Sequence, residues 1–269
     1  MIRLIRAANF KIRKSSYIYI LVVITMVLIF GGVCLFYGAL RMMSDGSMFE
    51  LAGGYDTDIE AFDNLNFIDC TSIVLSLMQI LSIIIAIAVT INISEDKANG
   101  SMIVAASKGS ARMQIYGSRI YETVILSFIL YLTEIIAAGA AGAIFWHGDI
   151  TGDNVIAYIK IIIVTMLMYI TAGIIFMNVA LCIKSGGAAI AINILVFVFG
   201  ISVFFTALDT SINGDVGVIR EYWIFTAIEQ FADVDITWLD ILKAALNIII
   251  YGGLSTLIGG SHFCKSELR

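Results

Sequence analysis

Between Ile91 and Ile120 the chain reads INISEDKANGSMIVAASKGSARMQIYGSRI, and there Glu95, Asp96, Lys97, Lys108, Arg112 and Arg119 crowd around paired small residues. On either side the sequence is almost unbroken Ile, Leu, Val, Ala and Phe. Acids followed by cations in a short span suit ion pairing with another surface. They do not suit bond-making chemistry. The chain contains no nucleophile elbow, no HExxH and no paired catalytic carboxylates. His147 and His262 are far apart and neither has a catalytic or metal-binding neighbour in sequence. Cys34, Cys70, Cys182 and Cys264 form no CxxC and no Cys/His cluster, so no zinc site is expected. Cys34 and Cys70 could pair at one outer surface, or all four could be small buried or free thiols.

The elements that carry these residues follow from composition. The chain has 269 residues, of which 60% are hydrophobic and 14% charged, with a mean hydropathy of +0.97. Soluble domains carry about 25% charged residues, and a globule of this size cannot hide so much apolar surface. The chain is read as an all-α integral membrane protein, because apolar runs of about 20 residues cross the hydrocarbon core. Barrel strands would alternate in segments of roughly ten residues, and no such alternation is visible. There is no proline, so helix breaks are assigned to the pairs Gly31-Gly32, Gly186-Gly187 and Gly252-Gly253.

Six spans are expected, over residues 17–40, 68–93, 120–146, 156–183, 187–208 and 239–260. They form one transmembrane domain, residues 1–269, with a cytoplasmic loop over 94–118 and an external helical segment over 209–238. Ahead of the first span, residues 1–16 place Met1, Leu4, Ile5, Ala8 and Ile12 on one side of a helical wheel. Arg3, Arg6, Arg13 and Lys14 fall on the other, the pattern of an interfacial helix whose basic face meets anionic headgroups. The run from Tyr17 to Leu40 is too long for the apolar core of a signal peptide.

Orientation comes from Lys and Arg. With both termini inside, Arg41, Lys160, Arg220 and Lys243 are the only ones of the 16 left outside. The charged passage is then the first cytoplasmic loop. The outer stretches 41–69 and 209–240 are rich in Asp and Glu, which keeps them soluble or concentrates a cationic solute. REYWIFTAIEQF, 220–231, reads as a short amphipathic helix at the outer interface.

A connection between two spans needs only a few residues, and this loop is longer. Asn99-Gly100 is a break signal, MIVAAS at 102–107 is a short apolar stub, and KGSAR closes it. A stub this short is not stable alone. It is either a helix seated in a groove of another protein or a solvated anchor for the positive-inside rule.

Glu95, the Gly100-Ser101 step, the small apolar stretch, Arg112 and the basic Arg119 entering the next span together resemble the first cytoplasmic loop of type-2 ABC exporter permeases. The resemblance extends to the basic N-terminal helix, the six-span count and the external helices before the last span. It implies a coupling helix that touches a nucleotide-binding subunit, with Glu95, Gly100, Ser101, Arg112 and Arg119 contacting or positioning that ATPase. The family usually has Thr at the position of Ser101 and a proline step where this chain has Lys108-Gly109-Ser110. Ser101 keeps a hydroxyl able to cap the stub. No G-x-x-x-x-G-K-[ST] pattern is present, so ATP and Mg would bind a separate partner. The chain itself would be no enzyme and carry no cofactor. A second permease copy, a cell-membrane location and no nucleic-acid partner are implied as well.

Inside the spans, Glu122 is near the cytoplasmic end, within reach of headgroups or Arg119. Glu134 falls near mid-span, where a carboxylate lines a path or gate, or stays neutral and hydrogen-bonded. Glu134, Asn178 and Asn193 are taken as candidate path residues. Amides such as Gln79, Asn178, Asn193 and Asn247 more often tie helices together, and AAGAAGA at 137–143 reads as close packing. The expected function is export of an amphipathic or hydrophobic substrate, with a peptide toxin or antimicrobial as first choice. A self-contained secondary transporter or channel using Glu134 is the alternative.

Overall fold

The computed structural model describes residues 2–44, 71, 74–75, 78–146, 152–213, 219–230 and 237–265. Cys70 and the acidic stretch 45–69 fall outside them, and Cys34, Cys182 and Cys264 are free thiols. Among the described residues the chain is helical and has no strand. Five helices among the described residues are long and apolar enough to cross a membrane: Ser16–Ala39, Arg112–Phe145, Val155–Cys182, Gly186–Ile212 and Trp238–Lys265. The protein is an all-α membrane protein.

The chain opens with α1, Ile2–Lys14, followed by α2, Ser16–Ser44. Helix α3, Met78–Ala98, occupies the region expected for the second span. It packs against most of the other helices, and Ile85, Ala86, Ala88, Val89, Thr90, Asn92 and Ile93 are buried in it. It runs past the expected end at 93 because Glu95, Asp96 and Lys97 continue the helix. A seven-residue helix α4, Ser101–Ser107, precedes the 34-residue α5, Arg112–Phe145. At 1.5 Å per residue α5 is roughly 50 Å long, against a hydrocarbon core of about 30 Å. It starts at Arg112 rather than near 120.

Helix α6 spans Gly152–Cys182. The next segment is α7, Gly186–Ile192, a π-helical stretch Asn193–Gly200 and α8, Ile201–Asn213. A 3-10 turn, Arg220–Tyr222, leads into α9, Ile224–Gln230. The last segment joins α10, Trp238–Asn247, a second π stretch Ile248–Gly252 and α11, Gly253–Lys265. Of the three glycine pairs, Gly31-Gly32 lies in unbroken helix, Gly186-Gly187 follows a break capped by Ser185, and Gly252-Gly253 marks the end of a π stretch.

The interior is largely apolar but also encloses polar groups, and many apolar side chains face outward. Buried in α5 are Ser118, Arg119, Glu122, Thr123, Ser127, Thr133 and Glu134, whereas Ile136 and Ile144 are exposed. Hydroxyls are largely satisfied within their own helices. Ser127 donates to the carbonyl of Thr123, Thr165 to that of Ile161, Thr171 to that of Leu167 and Ser202 to that of Val198. In lipid, water is absent and these carbonyls are the acceptors at hand.

The segment expected as an external interfacial helix is instead packed among other helices. Trp223 through Ile228 are all buried. Phe225 stacks on Phe176 of α6 at 5.4 Å, and Trp223 lies between Phe205, stacked at 5.7 Å, and Tyr251, edge-on at 5.3 Å. The indole of Trp223 donates to Ser202 Oγ at 3.1 Å. Lys243 pairs with Glu221 at 2.5 Å and Asn247 donates to the Glu221 carbonyl, fastening the segment to α10. An amphipathic pattern cannot distinguish a helix lying in headgroups from one pushed in among other helices.

Small residues allow the closest approaches. A Cβ on Gly259 of α11 would sit 2.0 Å from Asn178 Oδ1 and 2.9 Å from the Tyr116 hydroxyl. The Asn178 side chain is held there by Tyr116 and Ser255. Gly259→Ala should therefore destabilise the protein by about 1–3 kcal/mol, read as a lowered melting temperature in detergent. Gly253→Ala, where nothing lies within 4 Å of the added Cβ, should not lower it.

Candidate functional site

The loop residues are positioned by two left-handed glycines. Gly100 has φ +62 and Gly109 has φ +84, a backbone region that side chains with a Cβ disfavour. They turn the chain sharply at both ends of α4. Met102 is buried beneath the helix, while Ile103 and Val104 are 44% and 49% exposed, an apolar face left open on its outer side. Ser101 does not cap the helix; Gly100 occupies the N-cap position with no side-chain bond. The Ser101 hydroxyl instead lies 3.0 Å from Asp96 Oδ1 and 3.2 Å from the Asp96 carbonyl oxygen, both acceptors for its one proton.

Asp96 is the hub of a buried network. Lys11 of α1 pairs with its carboxylate at 2.8 Å, and Arg119 of α5 pairs with its other oxygen. Arg119 also holds Glu122 at 2.6 Å. Asn92 donates to Glu122 at 3.3 Å and accepts from the Tyr17 hydroxyl at 3.0 Å, while Lys11 donates to the Asn92 carbonyl. Asp96, Arg119, Glu122 and Asn92 are all buried. Two carboxylates meet two cations, so the cluster is neutral. That balance is what makes so much charge tolerable away from water.

Two further cations of the loop, Lys97 and Arg112, reach helix ends. Lys97 Nζ donates to the carbonyls of Ala180, Leu181 and Ile183 at 2.6–2.8 Å, covering the C-terminus of α6. Desolvation lowers the Lys97 pKa from the ordinary lysine value, while the exposed carbonyls of a helix C-terminus favour a cation. Arg112 donates to the Cys264 carbonyl at 2.7 Å, at the end of α11. Glu95 turns the other way. It is half-buried and lies with Ile91, Ser94, Ala98, Gly186, Gly187 and Ile190 around an open depression of about 360 Å³ between α3 and α7.

The expected loop residues thus separate. Gly100, Ser101 and Arg112 flank or adjoin α4, Glu95 lies on another face of α3, and Arg119 is interior and serves the network. Sequence reasoning does not identify Lys11, Tyr17 and Asn92 as members of the network. Lys11 lies at heptad spacing from Leu4 and three residues after Ala8, on the apolar side of α1. A lone cation there was the available signal.

The intramembrane candidates do not converge. Glu134 is fully buried; its Oε1 accepts from the Tyr169 hydroxyl at 2.7 Å, and its Oε2 has no partner among the described residues. Asn178 accepts from Tyr116 and donates to Ser255, tying α5, α6 and α11. Asn193 donates to Thr90 Oγ1 at 2.9 Å and to the Phe176 carbonyl at 3.2 Å. Both amides hold helices together. Among the described residues no group of His, Cys, Asp and Glu is placed to hold a metal ion.

No protein-family model matches the chain, and comparison with curated proteins found none that matches.

Removing Arg119 would leave two buried carboxylates facing Lys11 alone. Arg119→Gln should cost about 3–5 kcal/mol, measured by thermal or denaturant unfolding in detergent. Adding Asp96→Asn restores the neutral count, so the double variant should unfold at a higher temperature than Arg119→Gln.

Proposed function

We propose that this chain is the membrane-spanning subunit of an ATP-driven exporter, moved by a separate ATPase subunit. The observation that carries the reading is α4, a short helix with an open Ile103–Val104 face. It is bounded by two left-handed glycines and linked to the bundle through flanking charges. Lys97 holds the end of α6, Arg112 the end of α11, and Asp96 holds α1 and α5. A partner that grips α4 thereby gains leverage on four helices at once. A solvated loop needs no such ties. The resemblance to type-2 exporter permeases supports the same assignment for Glu95, Gly100, Ser101 and Arg112, with Arg119 positioning the loop from within.

In this reading α3 is the second of six spans, both termini and α4 are cytoplasmic in the cell membrane, and a second copy completes the permease. ATP and Mg belong to the partner. ATP binding can swing the spans only to the extent that the partner binds one arrangement more tightly than the other. The cargo is an amphipathic or hydrophobic molecule, a peptide toxin or antimicrobial first.

The alternative, a secondary transporter, is favoured by one observation: Glu134 is buried with an oxygen that has no partner among the described residues. An intramembrane acid of that kind is a natural proton or cation site. Transport that follows a proton gradient without ATP and is abolished by Glu134→Gln would select it.

The test uses the chain isolated with an ATPase that carries a phosphate-binding loop and reconstituted in vesicles. Ile103→Asp with Val104→Asp should lower substrate-stimulated ATP hydrolysis tenfold or more, a loss of about 1.4 kcal/mol in coupling. Gly100→Val, forced into left-handed backbone at about 1–3 kcal/mol, and Glu95→Ala should lower it too, with folded protein retained. Unchanged turnover in all of these variants would overturn the assignment.

A further inference from the structure

The outward face of α1 carries a second concentration of charge that the buried network does not use. Ala8 and Ile12 are buried against the bundle, and Lys11 reaches Asp96 from that side. Opposite them Arg3, Arg6, Arg13 and Lys14 are exposed, grouped around Phe10, which is 66% exposed. Arg6, Asn9, Phe10, Arg13 and Lys14 line an open concavity of about 460 Å³. The Lys14 ammonium lies 5.7 Å from the centre of the Phe10 ring. Helix α1 contains no acidic residue, and none of these four cations is ion-paired among the described residues.

Position decides what this face meets. The apolar span begins at Ser16, immediately beyond Lys14, so α1 is held at the level where the hydrocarbon layer gives way to headgroups. A large exposed aromatic surrounded by cations suits neither water nor hydrocarbon. It suits the boundary, where the ring enters the acyl region and the cations stay with phosphate. Guanidinium groups can each donate two parallel bonds to phosphate oxygens, and Arg6 and Arg13 stand two helical turns apart with Phe10 between them.

We propose that this face is a binding site for an anionic phospholipid, with Arg6, Arg13 and Lys14 on the headgroup and Phe10 against its acyl chains. Asn9, between them in sequence, accepts a hydrogen bond from Tyr121 of α5 at 3.2 Å. The site is thereby attached to the helix that carries Arg119, and through Lys11 to Asp96. The inference depends only on the chain lying in a bilayer and stands apart from the exporter reading.

The experiment is native mass spectrometry of the full chain in mixed micelles holding equal phosphatidylglycerol and phosphatidylcholine. The wild-type chain should retain phosphatidylglycerol preferentially. The variant R6Q/R13Q/K14Q should lose that preference by about fivefold for each cation removed, while K108Q/K184Q, altered at two other exposed lysines, keeps it. The charge-preserving variant R6K/R13K/K14R, which guards against a folding defect, should also keep it. Equal retention of the two lipids by the wild-type chain, or an unchanged preference in the folded R6Q/R13Q/K14Q variant, would overturn the proposal.

Discussion

The carboxylate of Asp96 lies where α1, α3, α4 and α5 meet, and each of those helices supplies or receives one of its bonds. Lys11 and Arg119 neutralise it, Ser101 donates to it, and its own helix carries it there past the end of the apolar run. Glu122 balances the second cation and Asn92 donates to Glu122, while the buried Arg119 Nε has no partner among the described residues. A buried ion cluster of this kind is weak evidence for stability, since an apolar replacement could do as well. What it does supply is position. The orientation of α4 relative to three other helices is specified by directional contacts rather than by the interchangeable packing of Ile and Val.

The same constraint organises the rest of the molecule. In lipid no apolar driving force separates inside from outside, so helix contacts depend on small residues and hydrogen bonds. Gly259 lets Asn178 reach across to α11, and Gly173 brings α6 against Ser127 and Ile85. The buried Trp223–Ile228 segment uses a ring cluster for the same purpose. Trp223 and Phe225 fill space among α6, α8 and the second π stretch that the long helices leave between them.

Helical spans were legible in the sequence because hydropathy is a local property, and α2, α5, α6 and the last two segments follow the apolar runs closely. Proximity of Glu122 to Arg119 was legible too, being a matter of three residues on one helix. The Lys11–Asp96 pair was not, because nothing in a single sequence brings together residues so far apart along the chain. Nor could composition tell whether the hydroxyl of Ser101 would cap α4 or bond Asp96, since both targets lie within a turn. The burial of 223–228 was hidden for a related reason: Trp and Tyr are favoured at a membrane interface and equally in a tight helix junction.

The two π stretches, Asn193–Gly200 and Ile248–Gly252, have a geometric corollary. Hydrogen bonding from i to i+5 accommodates extra residue per turn, so a span containing such a stretch behaves as two rods whose stripes are rotated against each other. Side chains before Asn193 and after Gly200 therefore follow separate phases, and no single wheel projection describes the segment. Deleting one residue within the widened turn would bring the phases back into line and swing the far half of the span around its axis, turning lipid-facing groups toward protein without altering any side chain.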